Sequence, residues 1–140
     1  MNILITGAAG YIGSHVLKQL LETTRYEIII LDNLSTGSIN TINTLKKIRD
    51  FKFIELDLNE FDKVNEILKE NKIDTILHFA ARSVVPVAVA NPLKYCMIKT
   101  VNTTAWIKCA VENSVKKFIF SSTAAVYGEP NKEDIPVNET

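Results

Sequence analysis

Net charge is the first thing this chain of 140 residues lacks: 16 lysines and arginines meet 16 aspartates and glutamates. A nucleic-acid partner held by a general positive field is not expected, because phosphate backbones call for clustered positive charge. A long apolar run is missing too, so no bilayer span and no membrane partner is expected. The N-terminus, Met1-Asn2-Ile3-Leu4-Ile5-Thr6-Gly7, has neither a basic leader nor an apolar stretch of signal-peptide length. Secretion is therefore not expected, and a cytoplasmic setting is. Cysteine is scarce. Cys96 and Cys109 lack metal-ligand spacing, so no metal site is expected. They fall in one predicted helical stretch, too far apart along it to bridge, and read as free thiols. Repeats and low-complexity tracts are absent.

What is present is a core. Apolar residues make up 46% of a length that suits one domain. Short apolar runs alternate with helical patterns. Ile3-Leu4-Ile5, Ile28 to Leu31, Phe51 to Leu56, Thr75 to Phe79 and Phe118 to Ser121 read as strands. The unbroken run Ile28-Ile29-Ile30-Leu31 predicts burial on both faces, as in a parallel sheet. Ile12, Val16, Leu17, Leu20 and Leu21 lie on one predicted helical face. Further helices are predicted over Asn40 to Arg49, Phe61 to Lys69 and Pro92 to Asn113, the last burying Trp106 and Ile107. The tail from Glu129 to Thr140 reads as loop. This alternation with short connections predicts βαβ units and an α/β fold, a Rossmann-type doubly wound parallel sheet that stops after the fifth strand.

Three of the five glycines stand in Thr6-Gly7-Ala8-Ala9-Gly10-Tyr11-Ile12-Gly13, between the first strand and first helix. Gly7 lets the chain turn sharply. Gly10 leaves room for a pyrophosphate against the backbone. Gly13 lets the helix pack closely on the sheet. The helix N-terminus offers amides and a positive dipole end to phosphates. The spacing is G-x-x-G-x-x-G, and a ligand-free glycine turn is the bland alternative. Asp32 ends the second strand, where a carboxylate can accept hydrogen bonds from both adenosine ribose hydroxyls. It would also repel a 2′-phosphate, which predicts NAD rather than NADP. The alternative is a turn- or helix-capping Asp among Asn33, Ser35 and Gly37; distance from the glycine turn favours the ribose role. Asp57 ends the third strand, to meet the adenine edge or to cap the next helix.

Together these stretches resemble the extended short-chain dehydrogenase/reductase family, and within it the UDP-glucose 4-epimerases. The resemblance is carried by Ile5 to His15, Leu31 to Gly37 (Leu-Asp-Asn-Leu-Ser-Thr-Gly), Ile76 to Ala81 (Ile-Leu-His-Phe-Ala-Ala) and Phe118 to Gly128. By position it implies that Tyr11 and Ile12 meet the pyrophosphate, Asp32 and Asn33 the ribose, and Asp57 and Leu58 the adenine. It implies that Phe79, Ala80 and Ala81 line the cofactor, that Ser121 lies near the nicotinamide, and that Thr123 is the catalytic hydroxyl. Without the resemblance, Thr123 is a strand-end hydroxyl bonded to backbone. The implied chemistry takes hydride from C4 of a UDP-hexose onto NAD and returns it to the other face, with a Tyr phenolate as base beside a Lys. Dehydratases of this kind carry Asp-Glu directly after the Thr. Ala124 and Ala125 stand here and cannot move protons, so an epimerase is expected.

The Tyr-x-x-x-Lys pair follows the Thr in that family, on a helix beyond Thr140. The expectation is an incomplete NAD-binding domain over 1–140, without the catalytic helix and substrate domain. It should bind NAD without turnover on its own, and should expose an apolar sheet edge that invites self-association, a homodimer or another partner chain. Tyr95 and Lys99 match the spacing but precede Thr123 and read as helical neighbours. Tyr127 and Lys132 have the wrong spacing. Ile98 and Lys99 replace the family's usual Asn pair, Val87 its Glu and Cys96 its aromatic.

Overall fold

Ile28, Ile29, Ile30 and Leu31 are all buried, which demands packed layers on both sides of their strand. The computed structural model describes residues 1–80, 102–122, 124–128, 130, 133 and 135–137. It supplies those layers. In chain order the elements are β1 (Asn2–Thr6), α1 (Tyr11–Thr23), β2 (Glu27–Asp32), α2 (Ile39–Lys46), β3 (Lys52–Glu55), α3 (Phe61–Glu70), β4 (Thr75–His78), α4 (Asn102–Glu112) and β5 (Lys117–Phe120). A 3-10 turn follows over Ala124–Tyr127.

The five strands order as β3-β2-β1-β4-β5, and every adjacent pair is parallel. Leu4 sits level with Ile29 on one side and Ile76 on the other. Because alternate side chains leave opposite faces, Leu4, Ile29, Leu31 and Ile76 pack with Val64, Leu68, Trp106, Cys109 and Ala110 from α3 and α4. Ile3, Ile5, Ile28, Ile30 and Leu77 pack with Leu17, Leu21, Ile42 and Leu45 from α1 and α2. This is the expected Rossmann-type doubly wound sheet. Its strand order reverses between β1 and β4, so a crevice opens at their C-terminal ends.

Two burial expectations are corrected. Ile107 is 46% exposed. Trp106, Cys109 and Ala110 face the sheet instead, and Ile107 and Val111 fall on the outer side of the same helix. Ile12 is 58% exposed, so the inward stripe of α1 runs through Gly13, Leu17 and Leu21. α2 begins ahead of its predicted start, because the Ser38 hydroxyl accepts the Asn40 N–H at 3.2 Å and caps it. It ends at Lys46 rather than Arg49. Strands β3, β4 and β5 match their predictions to within a residue or two. Within the predicted helix over Pro92 to Asn113, the part before Asn102, with Cys96, lies outside the described residues. On β5, Ile119 and Phe120 are exposed.

Candidate functional site

The strands' C-terminal ends and the loops that follow them surround a cleft of about 360 Å³. Its wall at the β1–α1 turn is Gly7, Gly10, Tyr11, Ile12 and Gly13. Gly7 has φ +75, and a Cβ on it would stand 2.6 Å from the Ala80 nitrogen. A side chain there is excluded by both conformation and space. A Cβ on Gly13 would stand 2.4 Å from the Gly7 oxygen. The close contact that Gly13 permits is therefore with the turn's own backbone, which corrects the sheet-packing expectation. Gly10 differs from both. A Cβ there would meet only the Gly7 oxygen, at an ordinary 3.4 Å, so its remaining surroundings are open. Gly10 is also the N-cap of α1, with no side-chain cap and no acid in the first turn. Among the described residues, the amides that begin this helix therefore have no side-chain acceptor competing for them.

The opposite wall carries acceptors. Asp32 and Asn33 extend from β2, and Asp57, Leu58 and Asn59 from β3. Asp32 is buried. Its Oδ2 accepts the Ala9 N–H at 2.9 Å, and its Oδ1 accepts the Leu34 N–H at 2.9 Å. It is not a helix cap, since Ser38 caps α2. It is a brace between two loops that also lines the cleft. Each oxygen keeps a second lone-pair direction. Asn33 donates to Asp57 Oδ2 at 2.9 Å and accepts the Ser35 N–H at 3.1 Å. Asp57 Oδ1 accepts the Asn59 backbone N–H at 2.9 Å and its side-chain amide at 2.7 Å. Asp57 thus shapes the turn before α3 rather than capping it; the N-cap there is Glu60. The Leu58 carbonyl accepts Trp106 Nε1–H at 3.1 Å, which fastens α4 to the cleft.

The floor lies at the ends of β4 and β5. His78, Phe79, Ala80 and Ser121 line it. The Phe79 N–H donates to the Thr6 carbonyl at 3.0 Å, and the Ser121 N–H to the His78 carbonyl at 3.1 Å. His78 belongs to the Ile76-to-Ala81 stretch, from which no role for it was expected. Its Nδ1 is hydrogen-bonded to the Thr6 hydroxyl at 2.8 Å, and burial pushes its pKa down to about 4. The ring is neutral near pH 7. The signal was a polar residue at the end of an apolar strand, level with Thr6 on the neighbouring one. Thr103 and Trp106 close the α4 side. Of the expected site residues, Ala81 and Thr123 lie outside the described residues, as do Tyr95 and Lys99. Among the described residues, no helix is long and apolar enough to cross a membrane.

The cleft is polarised, with helix-start amides at one wall and two carboxylates one and two strands away. That arrangement suits an elongated ligand with an anionic middle and a hydroxyl-bearing end. The NAD dependent epimerase/dehydratase family matches residues 3–140. UDP-glucose 4-epimerase of Bacillus subtilis is 42% identical over 100% of this chain and 43% of its own length. The solved UDP-Glc/GlcNAc 4-epimerase of Campylobacter jejuni is 53% identical, with a TM-score of 0.87 over 94% of this chain and 40% of that one. The UDP-glucose-4-epimerase of Stenotrophomonas maltophila, solved with bound NAD and formylated UDP-arabinopyranose, superposes with a TM-score of 0.88. It is 31% identical over 100% of this chain and 41% of that one. The chain thus spans about two-fifths of the length of these relatives.

Proposed function

The chain belongs to the NAD dependent epimerase/dehydratase family, and from that premise we propose that it is the NAD-holding portion of a UDP-hexose 4-epimerase. The observation that carries the reading is the uncapped start of α1 beneath the open face of Gly10, one strand away from the buried Asp32. The residues fit the cofactor. The amides of Tyr11, Ile12 and Gly13 hold the diphosphate, and an added Cβ at Gly10 would intrude on it. Asp32 and Asn33 accept the ribose hydroxyls, and Asp57 and Leu58 border the adenine. Phe79 and Ala80, with Ala81, line the path to the nicotinamide, where Ser121 stands. Asp32 also disfavours a 2′-phosphate, which selects NAD over NADP.

When bound, NAD supplies the acceptor for a hydride from C4 of the sugar. Thr123 supplies the hydroxyl that hydrogen-bonds the reacting oxygen, as it can both donate and accept. Residues 1–140 form the dinucleotide-binding domain. A Tyr-x-x-x-Lys base pair and the UDP-hexose pocket would belong to further sequence; the relatives are more than twice as long. Ala124 and Ala125, standing where dehydratases carry Asp-Glu, favour epimerisation over dehydration. The setting is cytoplasmic; should no further strand pair with β5, its exposed Ile119 and Phe120 would favour self-association.

Two measurements test this. Calorimetry of NAD on the chain should give saturable heat; none at millimolar NAD refutes the cofactor reading. The reading frame beyond Thr140 should encode a Tyr-x-x-x-Lys helix, and a product carrying it should interconvert UDP-galactose and UDP-glucose. A continuing frame without that pair refutes the catalytic reading and leaves a binding module.

A further inference from the structure

Ala9, the residue just before the N-cap of α1, is gripped on three sides by the end of β2 and the loop that follows it. Its N–H is held by Asp32 Oδ2 at 2.9 Å. Its carbonyl accepts the Ser38 N–H at 3.3 Å. Against its side chain stands Gly37, where an added Cβ would lie 2.4 Å from the Ala9 Cβ and 2.8 Å from its carbonyl carbon. The same Asp32 carboxylate holds the Leu34 N–H at 2.9 Å, and Leu34 is in the left-handed region at φ 54. The loop between β2 and α2 is therefore bolted to the glycine turn at Ala9, which is itself buried. Gly37 does not line the cleft.

We propose that the β2–α2 loop is the positioning frame of the phosphate-binding turn, with Gly37 and Asp32 as positioning residues. Through them the adenosine half and the diphosphate half of the ligand bind as coupled events. The inference rests on the NAD reading and deepens it. A ribose on Asp32 engages the same carboxylate that fixes Ala9, so it stiffens the turn that receives the phosphates. Conversely, a methyl at Gly37 pushes Ala9, and Gly10 behind it, without reaching the ligand. Donors displaced by about 1 Å lose much of their worth.

The test titrates adenosine, ADP and NAD by calorimetry into the wild-type chain and Gly37→Ala. Adenosine affinity should stay within about twofold, while ADP and NAD affinity fall roughly tenfold or more. The ratio of ADP to adenosine affinity is the readout, because a loss of folded protein lowers the apparent number of sites and leaves that ratio alone. An unchanged ratio overturns the inference, whether the affinities fall together or hold. Should Gly37→Ala not fold, amide exchange on the wild-type chain decides. Adenosine, which has no phosphates, should slow exchange at Ala9 and Gly10. Protection confined to residues 32–38 overturns the coupling. A wild-type chain that binds none of the three ligands overturns the cofactor reading itself, a distinct outcome.

Discussion

Acidification should reveal His78 as a neutral residue on which the folded state depends. The residue is only 4% exposed. It stacks on Phe120 at 5.8 Å and tilts against Trp106 at 5.8 Å and Phe118 at 5.7 Å. Burial lowers its pKa from 6.5 to about 4. In the unfolded chain it takes a proton near its ordinary value, while the folded chain resists until about 4. The unfolded state thus binds more protons between those values. Stability is full above the ordinary value and is lost as pH falls through the window. At about 1.4 kcal/mol per unit, the loss by the bottom of the window is roughly 3 kcal/mol, a large share of an ordinary domain's stability. Urea denaturation of the wild type and His78→Gln reads this directly. The variant is less stable near neutral pH, where it loses packing. The gap should close by roughly 3 kcal/mol between about pH 7 and pH 4. Losses from every group that the two proteins share cancel. Parallel pH profiles would refute the reasoning and mean that the three aromatic faces hold the imidazolium as well as water does.

Trp106→Phe keeps most of the ring and loses the bond to the Leu58 carbonyl; it should cost about 1 kcal/mol in urea denaturation, against roughly 3–5 kcal/mol for Trp106→Ala. Gly10→Ala should unfold at the wild-type midpoint yet bind NAD at least about tenfold more weakly by calorimetry, because its methyl enters the cleft rather than the fold. Gly7→Ala should lose roughly 2 kcal/mol or more of stability, since both φ and the Ala80 backbone forbid its methyl. Asp32→Ala should weaken NAD about tenfold and narrow the preference over NADP, and equal NAD affinity in a competition titration would contradict the acceptor role.

How far the sequence led depends on how local each cause is. The two-face burial of Ile28 to Leu31 was legible because a short unbroken apolar run, three of its four residues β-branched, fits a strand covered on both sides. The glycine turn was legible because its three glycines stand close together in sequence where β1 passes into α1. Asp32 was found by its distance from that turn, but its double duty was not, since Ala9 lies 23 residues away. The bond from Asn33 to Asp57 spans 24 residues, and that between His78 and Thr6 spans 72. No periodicity carries such pairs. Ile107 failed for a subtler reason. Helical spacing offers two adjacent apolar faces on α4, and it is the Trp106 indole, reaching the Leu58 carbonyl, that selects the face turned inward.

Topology explains why the chemically important residues cluster where they do. In a sheet with every strand parallel, all C-terminal ends lie on one edge, and the helices that follow begin there. Helix-start amides and strand-end side chains must therefore share that edge, whatever the sequence. What the sequence decides is the chemistry placed there. Gly10 leaves the amides bare, Asp32 and Asp57 set acceptors at the ends of the next two strands, and His78 brings a neutral imidazole to the fourth. The fold tolerates a side chain at Gly10 and is destabilised by one at Gly7, although both belong to the same motif. The first glycine shapes the chain and the second leaves room for something that is not the chain. A residue whose smallness the fold does not need, at an edge the fold exposes, is the clearest mark that a ligand was the selecting force.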